Sequence, residues 1–144
     1  MNENAIFSFE SIPLIKELLE LNHEVSLIVY GANMRPFFYH QKTVVTLTNP
    51  TEIFKRFDVV LYYHLGEYKL SRVLKVHGDQ LIVCGDASVQ LEYIYAICVF
   101  GIVTSYKNGN RKISTHNRKY LKQVRLWSFF RPFRPFIIRL YKPD

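Results

Sequence analysis

The side chains able to act on a substrate fall in three short stretches: Gly31-Ala32-Asn33-Met34-Arg35-Pro36, Lys69-Leu70-Ser71-Arg72-Val73, and the pair Gly85-Asp86. A hydroxyl attacks a carbonyl only after giving its proton to a base of suitable pKa. Ser71 offers a hydroxyl, far too weak a base at neutral pH, and Lys69 an amine two residues earlier. On a strand the two point to one face, one step of about 6.6 Å apart. The same spacing also describes a lysine on a solvated strand. Ser26, His40, His64 and His77 are further polar groups, but nothing in their spacing ties them to Ser71. Asn33 offers only an amide, whose nitrogen lone pair is delocalised into its carbonyl. Arg72 and Asp86 either brace this region as an ion pair or stand as separate surface charges. Cys84 and Cys98 lie in apolar runs and read as two buried reduced thiols. No Cys/His spacing suits zinc, so neither metal nor cofactor is expected.

These residues need a frame, and the hydrophobic period supplies one. Ser11 precedes Ile12-Pro13-Leu14-Ile15-Lys16-Glu17-Leu18-Leu19, where apolar residues recur at helical spacing and Pro13 falls in the first turn. The period then shortens. Strands are expected over 24–30, 42–48, 58–64, 68–77, 80–85 and 96–107, with a short helical turn over 51–57 and an irregular stretch after Asp86. Gly78-Asp79 and Asn108-Gly109 mark hairpin turns, the second leading into residues 110–115. The expected fold is mainly β and mostly antiparallel, with an N-terminal helix and a helical C-terminal tail.

Charge divides the chain unevenly. Residues 1–106 hold eight Lys and Arg against eleven Asp and Glu, whereas residues 107–144 hold eleven Lys and Arg against Asp144 alone. Residues 1–106 are thus mildly acidic and residues 107–144 strongly basic and aromatic; by element pattern, a β body over 1–113 is expected to carry a helical extension over 114–144. In that extension Tyr120, Leu121, Val124, Trp127 and Phe130 share one helical face. Pro132 and Pro135 interrupt it, and a second short helix is expected over 136–141. The tail either packs its aromatic face on the body or lies on an anionic membrane surface through residues 126–144. Nucleic-acid binding through the basic tail is the weaker alternative, since the body is acidic. The longest apolar run, Tyr93 to Val103, is too short to span a bilayer, which needs about 20 residues. With no signal-peptide pattern in the first residues and no disulfide framework, a cytoplasmic protein is expected, peripheral to the inner membrane face if the tail binds lipid.

Taken in order, the stretches resemble the boxes of the serine peptidase superfamily that includes signal peptidase I and the self-cleaving LexA-type repressors. The likeness is greatest to small stand-alone members of Bacteroides-type bacteria. The nucleophile box G-x-S-M-x-P is matched by Gly31-Ala32-Asn33-Met34-Arg35-Pro36, with asparagine in place of serine. A Gly-Asp-Val-Val strand is matched by Phe57-Asp58-Val59-Val60, without the glycine. The general base, Lys or His before Arg-Val, is matched by Ser71 in Leu70-Ser71-Arg72-Val73. Gly85-Asp86 and Gly101-Ile102-Val103 match the closing boxes, and Leu126-Trp127 with Arg131-Pro132 matches the tail of the small members. The resemblance implies the antiparallel β fold of that superfamily and a groove that takes a peptide in extended form. Asn33 and Ser71 then occupy emptied nucleophile and base positions, which implies an inactive homologue; Lys69 remains a weak stand-in base. Gly31, Ala32, Met34 and Pro36 would shape the peptide-binding loop. Gly31 would allow a special backbone angle or a close approach, Met34 would fill a pocket beneath, and Pro36 would stiffen the exit. Arg72 and Asp86 would brace the site. An active peptidase with a displaced dyad is the alternative implied.

Overall fold

A computed structural model describes residues 6–50 and 53–135 of the chain. Its elements in order are β1 (Ile6–Phe7), α1 (Ile12–Glu20), β2 (Val25–Ile28), β3 (Val44–Thr48), β4 (Val59–His64), β5 (Glu67–His77), β6 (Gln80–Cys84), β7 (Glu92–Tyr95), β8 (Val99–Asn108), β9 (Arg111–Ser114) and α2 (Arg118–Phe129). The strands form one sheet in the order β1-β2-β3-β8-β4-β5-β6-β7, with β9 paired to β8. All pairings are antiparallel except β1 with β2. The protein is thus mainly β, with one helix near each end of the described chain.

β4 is buried on both faces, and this organises the interior. Val59 and Leu61 point into a core shared with α1, β2, β3 and α2, whereas Val60 and Tyr62 point into a second cluster with Val73, Leu81, Val83 and Ile94. Ile12, Ile15 and Leu19 of α1 are fully buried in the first core. Each such side chain contributes about 1.5–3 kcal/mol relative to exposure. Tyr120, Val124 and Trp127 of α2 join the same core, so residues 118–129 lie against the β body.

Local details differ from the sequence reading in places. Ser11 sits at the N-cap position of α1, but its hydroxyl makes no capping bond. Asn117 does cap α2, accepting from the Tyr120 amide at 3.0 Å. β1 and β7 were not expected: β1 is two residues long, and β7 lies in the stretch read as irregular, where Glu92 and Ile94 alternate inward with exposed Tyr93 and Tyr95. Residues 53–57 form no helical turn; Phe57 instead takes a left-handed backbone angle (φ 77°) just before β4. The helix expected over 136–141 lies outside the described residues. No helix among the described residues is long and apolar enough to cross a membrane.

Candidate functional site

The hairpin β4–β5 decides which atoms face the site. Leu65 and Gly66 both have positive φ (50° and 81°), giving a two-residue turn between His64 and Glu67. Antiparallel partners alternate between exchanging both backbone bonds and exchanging none. The Val73 amide donates to the Asp58 carbonyl at 2.7 Å, which fixes the phase. Odd-numbered residues of β5 therefore bond toward β4, and Tyr68, Leu70 and Arg72 turn their N–H and C=O groups the other way. β6 pairs with β5 only from Arg72 to His77. Among the described residues no strand pairs with the backbone edge at Tyr68 and Leu70, and it opens onto a cavity of about 410 Å³.

The opposite wall of that cavity is the exit of β2, from Val29 to Gly31, with Phe9 nearby. Gly31 has φ 89°, which L side chains rarely adopt; a Cβ there would touch nothing, so the angle and not a close approach is what glycine supplies. The Gly31 amide donates to His40 Nδ1 at 2.6 Å, which pins the loop start and makes His40 a structural acceptor. Ala32 and Asn33 are exposed at the loop tip, and Met34 is buried in the main core beneath. Pro36 follows, half-buried, across a cis Arg35–Pro36 peptide.

Asn33 reaches across to β5. Its Nδ2 donates to the Leu70 carbonyl at 2.9 Å and, at 3.4 Å, to Ser71 Oγ. The carbonyl partner fixes which way the amide points, because an oxygen there would meet another oxygen. The Asn33 side chain also occupies the space where Gly85 lacks a Cβ: a methyl group at Gly85 would overlap the Asn33 amide. The Asn33 carbonyl accepts from the Ala87 amide at 2.9 Å, tying the loop to the segment after β6.

From Asn33 a chain of hydrogen bonds runs inward. Ser71 Oγ lies 2.9 Å from the Tyr62 hydroxyl, which donates to Glu92 Oε1 at 2.6 Å. Since the Tyr62 proton goes to Glu92, Ser71 must donate to Tyr62, and its oxygen receives from Asn33. Lys69 Nζ donates to Glu92 Oε2 at 3.0 Å, and His64 Nε2 lies 3.9 Å from the same oxygen. All donors in the chain flow toward one carboxylate. Burial works against the Glu92 charge, but the Tyr62 and Lys69 bonds outweigh it and hold this carboxyl below its ordinary pKa. Burial, with the bond to Glu92, pushes the Tyr62 phenol far above its usual range, so it stays protonated. Lys69 and Ser71 share a face, yet the lysine is committed to Glu92.

Behind this line sits a second network. Arg72 and Asp86, each 1% exposed, form a bidentate pair with Nε–Oδ1 2.8 Å and Nη2–Oδ2 2.7 Å. Arg72 Nη1 donates to the Phe57 carbonyl at 3.0 Å and the Tyr120 hydroxyl at 2.7 Å. Burial opposes the Arg72 charge, but the facing Asp86 carboxylate raises its pKa above the ordinary value. Trp127 Nε1 donates to the Asp86 carbonyl at 2.6 Å, and Arg134 Nη1 to the carbonyls of Gly85 and Ser88 at 3.2 and 2.8 Å. The segment Gly85–Ser88 is thereby held from behind by α2 and the residues following it.

Sequence reasoning placed Asn33, Ser71, Lys69, Gly31, Met34, Arg72 and Asp86 near one another, and the structure brings them together around this cavity and its backing. It missed Tyr62 and Glu92, which complete the polar chain, and Tyr120 and Trp127 as anchors of the pair behind. The alternation of β4 was the available signal for Tyr62: counting inward from Val60 puts it on the Ser71 face. Glu92 gave none, since its strand was not recognised. Chemically, the arrangement holds an amide and a hydroxyl that is already donating. Neither is a nucleophile poised beside a free base.

The chain matches no protein-family model and no curated protein.

Proposed function

We propose that the protein binds an extended peptide in the groove between β5 and Val29–Gly31, and that it is a catalytically inactive relative of the signal peptidase and LexA-type serine peptidases. The observation that carries this reading is the unpaired strand edge at Tyr68 and Leu70 lining a cavity. Such an edge recognises a chain through its main-chain bonds, and side-chain pockets add selectivity. The Tyr68 N–H and C=O and the Leu70 N–H are available to an incoming strand, while the Leu70 carbonyl is already taken by Asn33.

Inactivity rests on the polar chain. Asn33 cannot attack a carbonyl, and Ser71 has its proton directed to Tyr62. Losing members of a catalytic dyad or triad costs several orders of magnitude in rate. Lys69 gives little support to a displaced dyad, because Glu92 holds its ammonium as an ion-pair partner.

The test is direct. The purified protein is titrated with a library of eight- to ten-residue extended peptides, and backbone amide shifts are followed by NMR. Shifts at Tyr68, Leu70 and Gly31 with no cleavage by mass spectrometry are the expected result. Peptide cleavage by the unmodified protein would refute inactivity; shifts confined to other surfaces would refute the groove. Conversion of Asn33→Ser with Ser71→Lys or His, assayed for gained cleavage, tests the relationship to the peptidases separately.

A further inference from the structure

We propose that the outward face of α2 and the turn after it form a docking surface for a bilayer of anionic phospholipid. At 100° per residue, Arg118, Lys122, Arg125 and Phe129 fall within about 60° of arc, on the side opposite the buried Tyr120, Val124 and Trp127. The helix is thus used on both sides: one fixes it to the core, and the other is unpartnered among the described residues. Phe129 is 77% exposed, and Leu126 and Phe133 are each 59% exposed beside it. Phe129 and Phe130 meet edge to face at 5.5 Å.

Charge names the occupant. α2 carries four cations and no carboxylate, and Asp144 is the sole acid from residue 107 onward. Apolar side chains surrounded by lysine and arginine suit the headgroup boundary of an anionic leaflet, where rings enter the interface and cations meet phosphates. A nucleic-acid surface would use the same cations but leaves no need for a projecting leucine beside two phenylalanines. Trp127 is not part of this surface: it is 9% exposed, with its indole N–H committed to the Asp86 carbonyl. Arg134 is likewise unavailable, buried against the Trp127 ring and bonded to Gly85 and Ser88. The membrane-facing residues are therefore those turned away from the core, not the whole aromatic tail.

The experiment uses the full chain and sedimented vesicles of phosphatidylcholine alone or with one quarter phosphatidylglycerol. Pelleting with the mixed vesicles, lost with the neutral ones and weakened by added salt, is expected. Each cation near the surface changes partitioning by about fivefold, so Lys122→Ala with Arg125→Ala should lower it about 25-fold. Leu126→Ser with Phe129→Ser should lower it at least about tenfold; both pairs are exposed, and unchanged thermal midpoints would show the fold intact. No pelleting, or equal pelleting with neutral vesicles, overturns the proposal. So does pelleting untouched by the Leu126/Phe129 pair, or one abolished by competing oligonucleotide that itself binds in a salt-sensitive way; that last result assigns the surface to nucleic acid.

Discussion

Replacing Asp86 by alanine removes the carboxylate but leaves Arg72 in place, 1% exposed and charged. Two of its donors, Nε–H and Nη2–H, lose their acceptors. Breaking a buried pair from one side costs about 3–5 kcal/mol, because the remaining charge is stranded. At about 3 °C per kcal/mol for a chain of this size, the thermal midpoint should fall by about 10–15 °C. Arg72→Met should cost at least as much, since it strands the Asp86 carboxylate and also strips the Phe57 carbonyl and Tyr120 hydroxyl of a donor. The double variant Arg72→Met, Asp86→Ala removes both charges. What remains are the Phe57 and Tyr120 groups, worth about 1–2 kcal/mol each, so the double should lose about 2–4 kcal/mol. Urea unfolding of the four proteins closes the cycle. The losses should fall short of additive by about 2 kcal/mol or more. Additivity within about 0.5 kcal/mol, or an Asp86→Ala loss under about 1 kcal/mol, would refute the pair as a desolvated unit behind the site.

Tyr62→Phe cuts the polar chain between Ser71 and Glu92; a loss of about 1.5–3 kcal/mol is expected in urea, since one bond is to a carboxylate. Gly85→Ala should displace the Asn33 amide from Leu70 at a cost of about 1 kcal/mol, and should cost nearly nothing in an Asn33→Ala background. Equal costs in the two backgrounds would refute the fit between those residues. Glu92 has a folded pKa below its ordinary 4.5. Its stabilising share is therefore complete above that value and fades as acid carries pH down through the lower folded one. Glu92→Gln should flatten this part of the acid limb, read as urea midpoints from pH 6 to pH 3.

Much of the frame was readable because it follows short-range rules. The periods of residues 12–20 and 25–28 and the turn at Gly78-Asp79 stand in the chain itself, and the second hairpin turn falls one residue later than its signal, at Gly109-Asn110. β1 was not readable: two residues carry no period, and Ile6 and Phe7 become a strand only because β2 lies alongside. β7 was hidden for a related reason. Its outward positions are Tyr93 and Tyr95, so its alternation is masked by apolar residues on both faces. The loop from Gly31 to Pro36 drew notice by residue types alone. What Asn33 does there, bonding Leu70 and filling the gap at Gly85, depends on three segments meeting, and no local pattern encodes that.

A strand edge without a neighbour invites pairing with any other strand, including that of a second copy, and exposed edges are a common origin of aggregation. The open part of β5 is guarded against this by its setting. Val29–Gly31 stands across the cavity from it, Asn33 already holds the Leu70 carbonyl, and Lys69 places a charge one residue away. A carbonyl already bonded and a charge beside it each make edge-to-edge pairing costlier at this point of the sheet.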